Sequence, residues 1–276
     1  MIRMVFADMD GTFLAADKSI PTGNLCALDE LERRGIAFVP CTGRPVSAIP
    51  PEIMGHAATR YAVGSNGAVV FDVRAGRPLH VEGMDKSRAI ALYERVKDLN
   101  TTFDIFADGN VYAERGRYEA MGSYGIDEPS LAVLRRVRRP VDSTVPELVL
   151  RAQRVEKITC FWKDAYDQQA LADAIEEVGG FSSAHGHPKN FELQAPGVSK
   201  GFALSWLCEY DAISVADVVA FGDEANDIPM LIAAGDGVAM ANATPEVRAA
   251  ADHMTASSDD AGVARYLFAL LGSVCE

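Results

Sequence analysis

At both ends of this chain, short uninterrupted apolar runs alternate with helix-length segments, and few folds accept that pattern. Residues 3–7 form one β-rich apolar run and residues 36–41 a second. Between them, Leu25, Leu28 and Leu31 recur at helical spacing, with Pro21 at the start and Gly35 just past the end. Pro at a helix start and Gly after its end are the expected punctuation. Strands that are apolar along their whole length are buried on both faces, which points to a parallel sheet flanked by helices. A helix is expected after Pro45, then strands over 61–63, 68–72 and 79–82, the last two joined by a turn over 74–78. From Phe191 the same rhythm returns: helix 200–210, strand 218–221, helix 228–234, strand 238–240, and helices 245–251 and 261–271.

The middle of the chain reads differently. Helix 85–99 precedes strands 103–107 and 111–114, a basic helical stretch reaches Arg139, and strand 157–162 leads into helix 166–178. Strands and helices without strict alternation suggest an α+β insert with an antiparallel sheet. The expected organisation is one α/β domain built from residues 1–83 and 191–276, interrupted by an α+β domain over 84–190. A chain of 276 residues has room for two such units.

Composition limits the function. Lys and Arg total 26 against 39 for Asp and Glu, a net charge of −13, which disfavours nucleic acid as a partner. No stretch approaches the roughly 18 apolar residues of a membrane span. The N-terminus lacks the regions of a signal peptide, so a cytoplasmic location is expected. The five cysteines are scattered and include no C-x-x-C pair, so idle thiols are expected rather than disulfides or a zinc site.

Four clusters carry chemistry. Asp8-Met9-Asp10-Gly11-Thr12 follows the first strand, where open α/β sheets bind ligands. Two carboxylates so close are costly unless a proton or cation lies between them. The plain alternative is an Asp-Gly turn with two solvated acids. Thr42-Gly43-Arg44 follows the second strand and offers a hydroxyl, backbone amides and a guanidinium to an anion; it also suits a strand-to-helix turn capped by Thr. Lys200 opens a helix, against the helix dipole; it is a functional cation or a solvated surface lysine with Ser199 as cap. Gly222-Asp223-Glu224-Ala225-Asn226-Asp227 concentrates oxygen ligands after a strand, or caps the next helix.

In this order and at these positions, the set resembles the haloacid dehalogenase-like superfamily. Asp8 to Thr12, Thr42, Lys200 and Gly222 to Asp227 match its four motifs. The placement of the insert, Ser65-Asn66-Gly67-Ala68, and Val238-Ala239-Met240-Ala241-Asn242-Ala243 are similar to its Cof-type branch, which carries a large α/β cap. The resemblance spans the whole chain and departs at Ser257-Ser258-Asp259-Asp260-Ala261-Gly262, where relatives show Asn near the second Ser. It implies a Rossmann-like parallel-sheet core, an inserted cap domain and a Mg2+-dependent phosphatase.

By motif position, Asp8 would be the nucleophile and form an aspartyl-phosphate. Asp10 would be the general acid and then the general base. Asp8, Asp10 (through its main-chain carbonyl) and Asp223 would hold Mg2+. Met9 and Gly43 amides, Thr42, Lys200 and Asn226 would hold phosphate oxygens, and Asp227 would orient Lys200 or a metal-bound water. Relatives that cleave carbon–halogen bonds lack an acid at the Asp10 position, and ATP-driven pumps carry Thr there.

The implied substrate is a small phosphorylated metabolite of the sugar phosphate kind, with no obligate protein partner. Phosphoryl transfer between sugar positions and a non-catalytic phosphometabolite sensor are the rival functions. In the insert, the Arg135–Arg139 run reads as a solvated helix face. His185-Gly186-His187 reads as a loop, and Glu114, Arg115 and Arg117 are left between surface charge and substrate contact.

Overall fold

The first apolar run becomes strand β1 (Met4–Ala7), every residue of which is buried. Four more strands join it: β2 (Ala37–Pro40), β3 (Val218–Gly222), β4 (Asp236–Ala239) and β5 (His253–Met254). The structure, a computed structural model, describes residues 1–275. The sheet order is β5-β4-β3-β1-β2, and all four pairings are parallel. Met4 faces Val218 on one side and Ala37 on the other, so β1 lies inside the sheet, between β3 and β2. The chain steps from β1 to β2 in one direction, then resumes at β3 on the other side of β1. Such a reversal leaves a crevice at the carboxyl ends of the two strands, where ligands bind in open α/β sheets.

Helices bury the sheet. The first helix, Thr22–Arg33, packs against the last described one, Gly262–Leu271. Buried Asn24 joins them, with Nδ2 donating to Phe13 O at 2.8 Å and Oδ1 accepting from Ala264 N at 3.1 Å. That packing also corrects the expectation of five idle thiols. Cys26 and Cys275 form a disulfide across 249 residues, while Cys41, Cys160 and Cys208 are free and buried. Helix Lys200–Tyr210 buries Ala203, Leu204 and Leu207 and packs on Ile228–Ala233. Full burial of each such Leu or Phe is worth about 1.5–3 kcal/mol.

The helix expected after Pro45 is reduced to a single tight turn at Val46–Ala48 and one helical turn at Pro51–Met54. Prolines at 50 and 51 break it, since a residue before proline avoids helical geometry. Strands Tyr61–Gly64 and Val69–Asp72 form an antiparallel hairpin, continued by Arg77–Val81. A bridge from Val63 to Cys41 carries its turn, residues 65–68, to the carboxyl end of β2.

Contacts divide the chain into two units: Met1–His80 together with the stretch from Ser199 onward, and Val81–Val198. The second junction thus lies at 198/199 rather than 190/191, because Asn190–Gln194 pairs antiparallel with Val155–Phe161 in the sheet of the insert. That sheet has six strands and is antiparallel except for one parallel pair, Asn110–Glu114 with Arg138–Val141. Helix Lys86–Val96, capped by Asp85, packs on Ala165–Val178 and on Val145–Arg151, whose cap is a reciprocal Thr144–Glu147 box.

The basic run is not one solvated helix face. The helix ends at Val137, and Arg138 begins a strand with its guanidinium buried against Asp104 at 2.7 Å. A strand alternates its side chains, so one arginine of the run is turned inward. His185, Gly186 and His187 lie in a loop. No helix among the described residues is long and apolar enough to cross a membrane.

Candidate active site

Each strand end of the reversal point delivers one motif. Asp8 directly follows β1 and anchors there by donating its amide to Phe221 O at 3.0 Å. Its Oδ1 accepts from Lys200 Nζ at 2.5 Å, and the same ammonium donates to Asp227 Oδ1 at 2.5 Å. Lys200, Asp8, Asp223 and Asp227 are all buried, Lys200 completely. The second Asp227 oxygen accepts the amides of Asp223 and Glu224 at 3.0 and 3.1 Å, which fixes the loop after β3.

Two positions show how tightly these loops meet. Gly11 has φ +80°, and a Cβ there would lie 2.2 Å from Asp223 Oδ2. Gly67 has φ +100°, and a Cβ there would lie 2.1 Å from the Ser199 carbonyl. Only glycine fits either place.

The acids outnumber the cation. Carboxylate oxygens of Asp8, Asp223 and Asp227 lie within 4.8 Å of one another, and Lys200 reaches two of the three. Burial pushes Asp8 up to about 7; Lys200 opposes this, and the charges of Asp227 and Asp10 add to it. Burial, then repulsion from Asp8 and Asp227, pushes Asp223 up to about 9. For Lys200, burial works against the charged form, but Asp227 and Asp8 prevail and hold it protonated well above the ordinary lysine range. Three buried acids sharing one cation are costly unless a further positive charge is present. All the donors are oxygens, the preference of Mg2+. The cluster therefore fits the implied metal.

Asp10 stands apart from this trio. Its carboxylate takes a forked contact from Arg44, at 2.5 and 2.7 Å, and a third from Lys18 at 2.9 Å. Burial would raise its pKa, but Arg44 and then Lys18 outweigh that and hold it below the usual carboxylate range. Of Asp10, only the main-chain carbonyl is left for a metal.

The remaining expected residues gather here too. Thr42 is buried; its amide donates to Val63 O, its carbonyl accepts from Asn66 N, and its hydroxyl accepts from Arg44 N at 3.2 Å. Gly43 lies between Thr42 and Arg44 in this loop, and Met9 is buried between the two acids. Asn226 Nδ2 donates to Asn66 Oδ1 at 3.2 Å. Ser65 and Asn66 are buried with φ +52° and +56°. Left-handed backbone at non-glycine residues is strained and gathers at functional sites.

Sequence reasoning did not place Lys18, Asn66, Asn242 or the Thr12 hydroxyl in the site. Thr12 Oγ1 donates to Asp223 Oδ1 at 2.7 Å. The signal for Asn66 and Asn242 was present in the motifs that contain them, as an undeciphered likeness. Lys18 had none.

A family model described as haloacid dehalogenase-like hydrolase matches residues 5–267. Phosphatase YwpJ of Bacillus subtilis is 29% identical, over 98% of this chain and 100% of that one. Pyridoxal phosphate phosphatase YbhA of Escherichia coli is 28% identical, over 98% of each. The solved structure of a HAD subclass IIB sugar phosphatase has a TM-score of 0.83 at 21% identity, covering 99% of this chain and 100% of its own, and so shares the fold, insert included.

Proposed function

The chain belongs to the haloacid dehalogenase-like hydrolases and is a phosphatase, and on that premise we propose that it hydrolyses small phosphorylated metabolites through an aspartyl-phosphate on Asp8, with Mg2+. One observation carries this reading: Asp8, Lys200, Asp223 and Asp227, drawn from opposite ends of the sequence, meet in one buried cluster at the sheet reversal.

Asp8, the Asp10 carbonyl and Asp223 would hold the metal, and Asp227 would orient Lys200 or a metal-bound water. The bound cation supplies positive charge that offsets repulsion between the Asp8 carboxylate and a phosphate dianion. An Asp8 oxygen attacks phosphorus, and the bond from phosphorus to the leaving oxygen breaks. Asp10 gives that oxygen its proton. Water then attacks the phosphoryl group, Asp10 takes a proton from it, and the bond to Asp8 breaks to release inorganic phosphate. Lys200, Thr42, Asn226 and the amides of Met9 and Gly43 hold the non-bridging oxygens, where charge must be neutralised during transfer. An arriving phosphate dianion competes with Asp10 for Arg44 and Lys18, which frees the carboxyl to carry a proton.

Sugar phosphates are the proposed substrate class, with pyridoxal phosphate as the comparison to run beside them. The test of the chemistry is turnover of p-nitrophenyl phosphate with Mg2+. Asp8→Asn abolishes it; near-normal rates in that variant would remove the proposed nucleophile.

A further inference from the structure

Asn242 lies in the loop after β4, 231 residues from Gly11 in sequence, yet it spans the two acid-bearing loops. Its Nδ2 donates to the Gly11 carbonyl at 2.8 Å and to Asp223 Oδ2 at 3.4 Å. Its Oδ1 accepts from Ser258 N at 2.9 Å. The orientation of the amide is determined by these partners. A backbone N–H can only donate, so oxygen must face Ser258, and the nitrogen must then face the carbonyl and the carboxylate. Thr12 grips the other oxygen of the same carboxylate at 2.7 Å. Asp223 is thus held by one neutral donor on each oxygen.

We infer that Asn242 is a positioning residue that aligns Asp223 for a divalent cation. This rests on the metal-dependent reading above. A carboxylate already fixed by two donors loses less freedom when it becomes a ligand, and partners of this kind typically contribute about 10- to 100-fold to metal affinity. Ser258 extends the device by one step, because its amide keeps the Asn242 side chain turned toward the site.

The test is direct titration of Mn2+ by electron paramagnetic resonance, with Mg2+ as competitor, on the full chain and on Asn242→Ala and Asp223→Asn. Asn242→Ala weakens Mn2+ binding about tenfold. The Mg2+ needed for half-maximal phosphatase activity rises by the same factor, while kcat at saturating Mg2+ stays within about threefold. Unchanged Mn2+ affinity in Asn242→Ala, beside lost binding in Asp223→Asn, overturns the role of Asn242 and leaves the phosphatase reading standing. A kcat loss that saturating Mg2+ does not recover also overturns it. Full binding in Asp223→Asn overturns the metal site itself. Unfolding curves without metal establish that each variant is folded. Asn242→Ser, which keeps a small polar group in this exposed loop, carries the same test if the alanine variant is not.

Discussion

The two units bury charge in opposite ways. In the insert, the buried cations are matched one to one, Arg138 with Asp104 at 2.7 Å and Lys157 with Glu192 at 2.9 Å, half-buried Arg117 meets Glu114 at 3.0 Å, and the buried carboxylates of Glu156 and Asp167 accept the backbone amides of Gly109 and Asn100. In the core unit, three buried carboxylates, Asp8, Asp223 and Asp227, cluster beside one buried lysine, Lys200, which pairs with Asp8 and Asp227. A matched buried pair leaves no net charge uncompensated, even where its desolvation outweighs its Coulombic gain. An unmatched cluster is stable only with another cation, or with protons. The insert's pairs therefore read as structure and the core's imbalance as function, although both consist of buried ionisable side chains.

That contrast can be broken or sharpened by substitution. After the loss of turnover in Asp8→Asn, the largest effect is expected at Asp10. Asp10→Asn lowers kcat by about 10²–10⁴-fold, the usual contribution of a positioned acid–base group, with a smaller loss of thermal stability because Arg44 and Lys18 lose their carboxylate partner. Steady-state kinetics beside calorimetry checks both halves.

In the insert the effect is on stability instead. Arg138→Ala strands Asp104 without its partner and costs about 3–5 kcal/mol of unfolding free energy, with no change in the Mg2+ requirement of the folded fraction. The apolar pair Arg138→Met with Asp104→Leu recovers most of that loss. Urea unfolding of the three proteins decides it.

Next comes pH. Asp8 and Asp223 are raised to about 7 and about 9, above the ordinary carboxylate value near 4. The folded chain then keeps protons that the unfolded chain has released. Stability in EDTA falls as pH rises from about 4 through 7 and onward to 9, since the unfolded state binds fewer protons there. Mg2+ flattens this decline, and so does Asp8→Asn in EDTA. A melting temperature that rises from pH 5 to pH 8 in EDTA would contradict the imbalance. The smallest effect is at the surface: the exposed pair Arg115–Asp142 is screened by solvent, so Arg115→Ala leaves unfolding nearly unchanged.

Much of the core was legible because three of the four motifs follow a strand that is apolar throughout. Ala7, Pro40 and Gly222 end such strands, and Asp8, Thr42 and Asp223 come within two residues of those ends. Local pattern therefore located them. Contacts of long sequence separation were not legible. Asn242 reaches Gly11 across 231 residues and Cys26 reaches Cys275 across 249, distances over which periodicity says nothing. Lys18 was invisible for another reason: its backbone is left-handed at φ +70°, which no residue type there announced. Arg138 shows where an average rule fails. Runs of charge are usually solvated, but a helix that stops at Val137 and continues as a strand turns one member inward. The junction at 198/199 was not legible because the short strand Asn190–Gln194 leads straight into the returning α/β rhythm, and only its pairing partner tells the units apart.

The central claim is that the unmatched acid cluster makes Asp8 a nucleophile, and single-turnover acid quench with peptide mass mapping tests it most directly. Enzyme in excess over a phosphorylated substrate, stopped in acid within one turnover in Mg2+, should yield the peptide containing Asp8 heavier by one phosphoryl group, absent in Asp8→Asn and discharged by a chase at neutral pH. Phosphate release at the full rate with no modified peptide, or with the label on another residue, would contradict it.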